Sequence, residues 1–153
     1  MISHAWPATP LRTLAPSSER PPQRGLLDTS VFIASESGRP LDVDALPEEI
    51  AISPITVGEL HAGVLAAEDL DVRARRLATL ESIADIEQLP IDEAVARSWA
   101  LLRVHLAKNK RRLNVNDLWI AATALAHGIP VVTQDDDFAP IEAIAAGLSV
   151  LQV

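Results

Sequence analysis

The feature that most constrains this fold is an alternation of short apolar segments with longer segments of helical periodicity. Each apolar segment is continuous, which is typical of strands that are buried on both faces of a sheet. The predicted strands lie at residues 25–27, 50–53, 86–89, 129–133 and 149–153. Strands that are separated by helices pair in parallel. The sequence therefore predicts an α/β fold, a three-layer α/β/α sandwich with a mainly parallel central sheet.

The segments between the strands carry the signals that begin and end helices. Thr56 is a candidate N-cap with Glu59 three residues later, which is the spacing of a capping box. Asp92 is predicted to cap a helix, and Gly128 to end the next one. The apolar seam of the Asp92 helix consists of Val95, Trp99, Leu102 and Leu106. The other predicted helices cover residues 56–65, 68–84, 117–127 and 140–146.

A proline-rich segment precedes this pattern. Five of the 11 prolines lie in the first 22 residues. We therefore expect residues 1–24 to form a disordered or loosely held tail, or to be an extension absent from the native protein, and residues 25–153 to form one domain. Cysteine is absent, which excludes disulfides and thiol catalysis. Because no segment has the features of a membrane span or a secretory signal, a cytoplasmic protein is expected.

Acidic residues from distant parts of the chain are predicted to meet at one edge of the sheet. Asp28 directly follows the first strand, and Glu59 lies in the first turns of the helix after the second. Asp117 opens a helix after a polar loop, and Asp135 and Asp137 follow the fourth strand. Sites in open α/β sheets form just beyond the carboxyl ends of the strands, so these side chains are expected to converge there.

Carboxylates that converge without a counterion repel one another, and a divalent cation relieves that repulsion. Ligand sets made only of oxygen favour Mg²⁺ or Mn²⁺, the ions that assist phosphoryl-transfer chemistry. Each acid alone is explained equally well as a helix cap or a solvated turn. The joint pattern favours a metal site.

Four motifs in one order resemble a known family. LLDTSVFI, SPITVGEL, NDLWIAATA and VVTQDDDF are similar to the motifs of PIN-domain ribonucleases, and more closely to those of the VapC toxins of bacterial toxin–antitoxin pairs. The resemblance covers residues 25–153. It implies an Mg²⁺- or Mn²⁺-dependent endoribonuclease toxin that hydrolyses RNA. It also implies a small VapB-like antitoxin, a homodimer and a higher toxin–antitoxin assembly.

The resemblance also implies a set of site residues. Asp28, Glu59 and Asp117 match the first three acidic positions of the family. Asp135 and Asp137 both remain candidates for the fourth, and Thr133 matches the hydroxyl beside it. We expect Asp28 and Asp117 to bind metal directly, Glu59 to ligate or act as general base, and the fourth acid to act through water or a second metal.

The net charge of −8 argues against a general polyanion-binding protein. A local basic cluster before Asp117 is nevertheless a candidate for holding RNA phosphates: Lys108, Lys110, Arg111 and Arg112. The alternative is a solvated helix end, where cations are also favoured. Asn116 is a candidate for positioning phosphate or a carboxylate, or only for capping its helix, and Thr133 is a candidate for the same positioning role.

Three other functions compete with the ribonuclease hypothesis. A non-catalytic PIN-like binding protein is expected to have lost one or more acidic positions, and none is lost. A phosphoacceptor domain is expected to have an early acidic pair and a lysine after a late strand, and both are missing. A DNA-directed nuclease stays open, because the chemistry barely distinguishes the two nucleic acids and recognition of the 2′-hydroxyl does.

Overall fold

The structure, a computed structural model, describes residues 21–143, 145 and 147–153, so most of the predicted tail (residues 1–20) lies outside the described residues. Its centre is a five-stranded parallel sheet with the strand order β3-β2-β1-β4-β5. The strands are β1 (Arg24–Leu27), β2 (Glu49–Ile52), β3 (Glu87–Gln88), β4 (Val131–Thr133) and β5 (Val150–Gln152). The predicted parallel sheet is confirmed, with strand ends that differ from the predicted ones by one or two residues.

Helices connect the strands on both sides of the sheet. They are α1 (Thr29–Ser37), α2 (Pro54–Ala66), α3 (Leu70–Ser82), α4 (Glu93–Lys108), α5 (Val115–His127) and α6 (Ala139–Glu142), with one 3₁₀ turn at Val43–Ala45. Within the described part of the chain, no helix has both the length and the apolar content to cross a membrane.

Neighbouring residues of β1 pack into two different hydrophobic clusters, which shows that helices cover both faces of the sheet. Leu26 packs in one cluster with Val131 and residues of α4 and α5. Leu27 packs in the other with Val132 and residues of α1 and α2. Because successive side chains of a strand point to opposite faces, the two clusters are the two helix–sheet interfaces. This confirms the predicted three-layer sandwich.

The capping box predicted at the start of α2 was wrong. The N-cap is Ser53, whose hydroxyl accepts a hydrogen bond from the backbone N–H of Ile55 (3.1 Å). Pro54 occupies the first helical position, where its fixed φ and missing N–H suit a helix start. Thr56 and Glu59 therefore lie inside the helix, and Glu59 is free of a capping role.

The start predicted for α5 was also too late. Its N-cap is Asn114, whose side-chain oxygen accepts from the backbone N–H of Asn116 (2.8 Å). Asn116 and Asp117 therefore occupy the first turn rather than the cap. Asn114 takes the cap because its side-chain oxygen, just before the helix, reaches a free N–H of the first turn.

Two further helices differ from the prediction. The helix expected at residues 140–146 covers only Ala139–Glu142, and residues 144 and 146 lie outside the described residues. Helix α1 was not among the predicted helices. It is apolar on several sides, with Val31, Phe32 and Ala34 all buried, so it shows no amphipathic period.

The prediction for α4 is confirmed. The Asp92 side chain accepts from the backbone N–H of Val95 (3.0 Å), and the predicted seam faces the core. Trp99 packs against that core and stacks on Trp119 of α5, with ring centroids 5.0 Å apart. Gly128 ends α5 in the left-handed conformation (φ +63°), which glycine adopts without strain.

Candidate active site

A pocket of about 240 Å³ at the carboxyl edge of the sheet brings together the five predicted acids. They are Asp28, Glu59, Asp117, Asp135 and Asp137. Its remaining lining residues are Thr29, Ser30, Ile33, Arg39 and Asn114. Four separate segments of the chain thus contribute carboxyl groups to one solvent-accessible cavity, because strands β1, β2 and β4 are parallel neighbours whose carboxyl ends lie side by side.

Asp28 is the most deeply buried of these acids, with 4% of its surface exposed. Its Oδ2 accepts a hydrogen bond from the Thr133 hydroxyl (3.1 Å) and caps α1 through the backbone N–H of Ser30 (3.4 Å). Burial raises the pKa of Asp28, and the hydrogen bonds from Ser30 and Thr133 oppose that rise. Asp28 is therefore both a helix cap and a wall of the pocket.

Glu59 is held by a residue that follows Asp28 in sequence. The Thr29 hydroxyl donates to Glu59 Oε1 (2.8 Å), and the Thr56 hydroxyl lies 3.2 Å from the same Thr29 oxygen. These contacts join the first turn of α1 to α2. The Glu59 carboxylate thereby lines the pocket, and among the described residues it forms no ion pair with a basic side chain.

The pKa of Asp117 is strongly raised. Burial, and after it the nearby charges of Asp28, Asp137, Glu59 and Asp135, together raise the pKa of Asp117 from 3.8 to about 7. A carboxyl group with this pKa is partly protonated at neutral pH unless a cation compensates the surrounding charge. The acids are thus close enough to interact strongly.

The loop after β4 is fixed by hydroxyl groups on both sides. The backbone N–H of Gln134 donates to Ser30 Oγ (3.0 Å), and that of Asp135 donates to Thr133 Oγ1 (3.0 Å). Burial raises the pKa of Asp135; Asp28 and Asp137 add to the rise and Arg39 opposes it. Asp136 instead accepts a hydrogen bond from the Gln152 side chain (2.7 Å) and does not line the pocket.

The carboxyl and hydroxyl oxygens of the lining suit a hard divalent cation. Such an ion would offset both the burial of the carboxyl groups and their mutual repulsion, the two causes that raise the pKa of Asp117. Within the described residues, no three acidic or histidine side chains form a ready-made metal cage. Binding of one ion by several of the lining carboxyl groups would therefore require rotation of side chains other than Asp28, which its hydrogen bonds hold in place.

The remaining predicted residues lie in two places. Thr133 is buried behind the pocket, where its hydroxyl supports Asp28. The other predicted residues are exposed and do not line the pocket: Lys110, Arg111, Arg112 and Asn116, with Lys108 of the same basic cluster.

Five of the lining residues were not predicted from the sequence. Thr29 and Ser30 directly follow Asp28, so their hydroxyls were a usable signal beside that acid. Asn114 lies one helical turn before Asp117. Ile33 and Arg39 carry no local signal, because the path of α1 and the chain beyond it places them at the pocket.

A family model and individual relatives both match most of this chain. The PIN domain family model matches residues 25–144. The protein "Ribonuclease VapC5" of Mycobacterium tuberculosis is 55% identical over 132 residues, which are 86% of this chain and 97% of that protein. "Toxin FitB" of Neisseria gonorrhoeae is 36% identical, over 72% of this chain and 86% of its own.

Solved structures agree with the sequence relatives. The crystal structure of VapBC-5 from Mycobacterium tuberculosis, a member of the VapBC family of toxin–antitoxin systems, superimposes with a TM-score of 0.80 at 52% identity. The match covers 86% of this chain and all of that one. A DNA-bound VapBC from Salmonella typhimurium superimposes with a TM-score of 0.69 at 26% identity, covering 83% and 96% of the two chains.

Proposed function

The chain belongs to the PIN domain family, and on this premise we propose that its acidic pocket is the active site of an endoribonuclease that serves as the toxin of a toxin–antitoxin pair. The observation that carries the assignment is the convergence of carboxyl groups from four chain segments on one open pocket. Such a pocket repels the phosphate backbone of RNA unless a divalent metal is bound. The enzyme is accordingly divalent-metal dependent.

We propose Mg²⁺, with Mn²⁺ as a substitute, as the ion. The lining holds five carboxyl groups, hydroxyls and an amide, and it holds neither histidine nor cysteine. Hard oxygen donors of this kind favour Mg²⁺ and Mn²⁺ over zinc. When bound, such an ion neutralises phosphate charge and lowers the pKa of a bound water.

Asp28 and Asp117 are proposed as the direct ligands. Asp28 is fixed by Thr133 and by its capping role, so it offers a stationary carboxylate at the rear of the pocket. Asp117 lies opposite on the first turn of α5 and interacts most strongly with Asp28 among the neighbouring charges. Two carboxylates from two rigid elements define the position of an ion more precisely than loop residues do.

Glu59 is proposed to orient the attacking water or to act as general base. Its Oε1 accepts from Thr29, which leaves its other oxygen available toward the pocket. Asp135 or Asp137 is proposed as the fourth acid, acting through water or at a second ion. Asp135 is half-buried and fixed at its N–H by Thr133, whereas Asp137 is exposed.

The proposed partners are an RNA substrate and a small VapB-like antitoxin, with a homodimer as the toxin unit of a higher assembly. The support is a structural match at 52% identity to a chain of a VapBC structure, which covers 86% of this chain and all of that one. An antitoxin is expected to present an arginine or lysine to the carboxylates, which neutralises them much as a metal does. We propose the cytoplasm as the compartment, because RNA is available there.

Cleavage of RNA by the purified protein is the direct test. We expect cleavage with Mg²⁺ or Mn²⁺, and reversible loss of cleavage on chelation. Asp117→Asn is expected to lower the rate by about a hundredfold or more, since a mispositioned ion forfeits about 3 kcal/mol of transition-state stabilisation. The measurement is cleavage of labelled RNA resolved on a gel.

The matched control is Asp136→Asn, which makes the same change next to the site. The Asp136 side chain accepts from Gln152 outside the pocket, and an asparagine oxygen keeps that bond. This variant should cleave at the wild-type rate, and comparison of Asp135→Asn with Asp137→Asn identifies the fourth acid. Full activity of Asp117→Asn, or in excess EDTA, would favour a binding protein, and equal cleavage of single-stranded DNA would favour a DNA nuclease.

A further inference from the structure

Arg39 is the one basic residue among those that line the acidic pocket in the described part of the chain. Its side chain is exposed, and it forms no ion pair with any described residue. The Arg39 guanidinium acts on Asp135 electrostatically but forms no ion pair with it, so it remains available to an external anion. The anion that must enter this pocket is a phosphate of the substrate.

The backbone around Arg39 is held from both sides. Gly38 ends α1 in the left-handed conformation (φ +74°), and the Arg39 N–H donates to the Ala34 carbonyl (2.9 Å). The Pro40 carbonyl accepts from the Gln134 side chain (3.2 Å), one residue before Asp135. The Arg39 backbone therefore has a fixed position relative to the acid-bearing loop after β4, which keeps its side chain within reach of the pocket.

We propose that Arg39 is a substrate-positioning residue that binds the RNA phosphate next to the one that is cleaved. This inference rests on the proposed function. The scissile phosphate belongs at the centre of the pocket, between Asp28 and Asp117, where a metal is needed to offset the carboxylates. Arg39 is exposed at the rim, so its guanidinium meets a neighbouring phosphate, for which its two-pronged geometry is suited.

Arg39 is better placed for this task than the basic cluster that follows α4. None of Lys108, Lys110, Arg111 and Arg112 lines the pocket. An arginine that meets RNA beside the acids also explains how a chain of net charge −8 holds a polyanion at this position.

The test compares Arg39→Gln with Arg75→Gln. Arg75 is an exposed residue of α3 that does not line the pocket, so its substitution makes the same change in net charge. Arg39→Gln should raise the KM for RNA cleavage about tenfold, the cost of one charge-assisted contact, with kcat within about twofold of wild type. Arg39→Lys should recover part of the loss, and Arg75→Gln should match wild type.

A binding measurement tests the same inference without cleavage. The probe is a fluorescein-labelled single-stranded RNA of mixed sequence, titrated against protein carrying Asp117→Asn, by fluorescence anisotropy at several salt concentrations. Adding Arg39→Gln should weaken binding about tenfold and reduce the slope of log K against log salt by about 0.7, the contribution of one phosphate contact on a single strand. Adding Arg75→Gln should leave both the RNA affinity and the salt slope unchanged.

The outcomes separate this inference from the proposed function. Active wild type with Arg39→Gln equal to Arg75→Gln in KM and salt slope would overturn the role of Arg39 alone. A fall in kcat at unchanged KM and slope would also overturn it, because Arg39 would then act only on Asp135. An inactive wild type would refute the ribonuclease, and the anisotropy result would still decide whether Arg39 binds phosphate.

Discussion

Asp117 is the residue at which burial and charge repulsion combine most strongly. Its carboxyl group is half-buried on the first turn of α5, and this burial, together with the charges of four other acids, raises its pKa to about 7. A carboxyl whose folded pKa lies above its unfolded value destabilises the fold when it is ionised. That penalty is fully present above pH 7 and is relieved as the pH falls from about 7 toward 3.8.

The metal-free protein is therefore expected to be stabilised by Asp117→Asn at high pH. At pH 8 the variant should exceed wild type in free energy of unfolding by roughly 1–2 kcal/mol, a value reduced for the partial solvent exposure of the group. The difference should shrink at pH 5, where Asp117 is largely protonated. Urea unfolding in EDTA at pH 5, 6, 7 and 8 measures it.

Asp136→Asn serves as the control here too, because the Asp136 carboxyl group lies outside the pocket. The effect of Asp136→Asn on the free energy of unfolding should be small at every pH. Adding Mg²⁺ at pH 8 should raise the melting temperature of wild type more than that of Asp117→Asn. An Asp117→Asn protein that is less stable than wild type at pH 8 would show that the carboxylate repulsion is not significant.

Small hydroxyl side chains organise the acids at the residue scale. Thr133 supports both Asp28 and the N–H of Asp135, and its own oxygen lies 3.1 Å from Ser30 Oγ. Thr29 holds Glu59. Hydroxyl groups thus hold the carboxyl groups of Asp28 and Glu59 and the backbone of the loop that carries Asp135, which keeps a mutually repelling set in place.

At the scale of the element, β1 is the strand on which the site depends. It lies at the centre of the sheet, between β2 and β4, and Asp28 directly follows its last residue, Leu27. Its Gly25 has no room for a side chain, because an added Cβ would lie 2.7 Å from Val132 Cγ2 and 2.8 Å from Pro47 Cγ. Glycine at this position lets β4 and the loop before β2 approach closely.

Gly25→Ala is accordingly expected to destabilise the protein by about 1–3 kcal/mol, the usual cost of overpacking. Gly58→Ala is the matched comparison. Gly58 is exposed inside α2, and nothing lies within 4 Å of an added Cβ. Alanine there should stabilise by about 0.5–1 kcal/mol through helix propensity. Thermal or urea unfolding of both variants decides the signs, and equal effects would contradict the packing argument.

On the scale of the whole molecule, the beginning of the described chain is tied into the sheet. The Gln23 carbonyl accepts a hydrogen bond from the Glu49 N–H (2.9 Å). Arg24 of β1 forms an ion pair with Glu87 of β3 (2.5 Å). Arg24 is the first residue of β1. The domain boundary proposed at Gly25 therefore falls inside a hydrogen-bonded strand.

Truncation is expected to separate the two sides of this boundary. A chain that starts at Pro21 should keep the melting temperature of the full chain within a few degrees, because the proline-rich segment has little apolar surface to bury. A chain that starts at Gly25 should melt about 3 °C lower than the Pro21 chain. It loses the Gln23 hydrogen bond and the Arg24–Glu87 ion pair at the start of β1, which together contribute about 1 kcal/mol to the free energy of unfolding. Differential scanning calorimetry measures both.

Arg24→Gln in the full chain isolates the ion pair from the backbone contacts. Because the pair is partly exposed, this substitution should account for less than half of the loss. A Pro21 chain that melts far below the full chain would show that the preceding segment packs on the domain.

The sequence by itself determined the α/β architecture and which acidic residues line the pocket. Continuous apolar runs between helical segments specify parallel strands, and parallel strands collect at one edge the residues that follow them. Asp28, Glu59, Asp117, Asp135 and Asp137 were therefore predictable, because each lies at a fixed local distance from a strand end or helix start.

Only the tertiary structure decided which neighbours these acids have. The Thr133–Asp28 bond joins residues 105 positions apart, and it depends on the register in which Leu27 pairs with Val132. A shift of one residue would turn every side chain of β4 to the other face. Arg39 reaches the pocket through the end of α1, and Asp136 turns away because Gln152 of β5 binds it. Periodicity and capping are local properties of a chain, whereas register and the path of a loop are set by packing between distant segments.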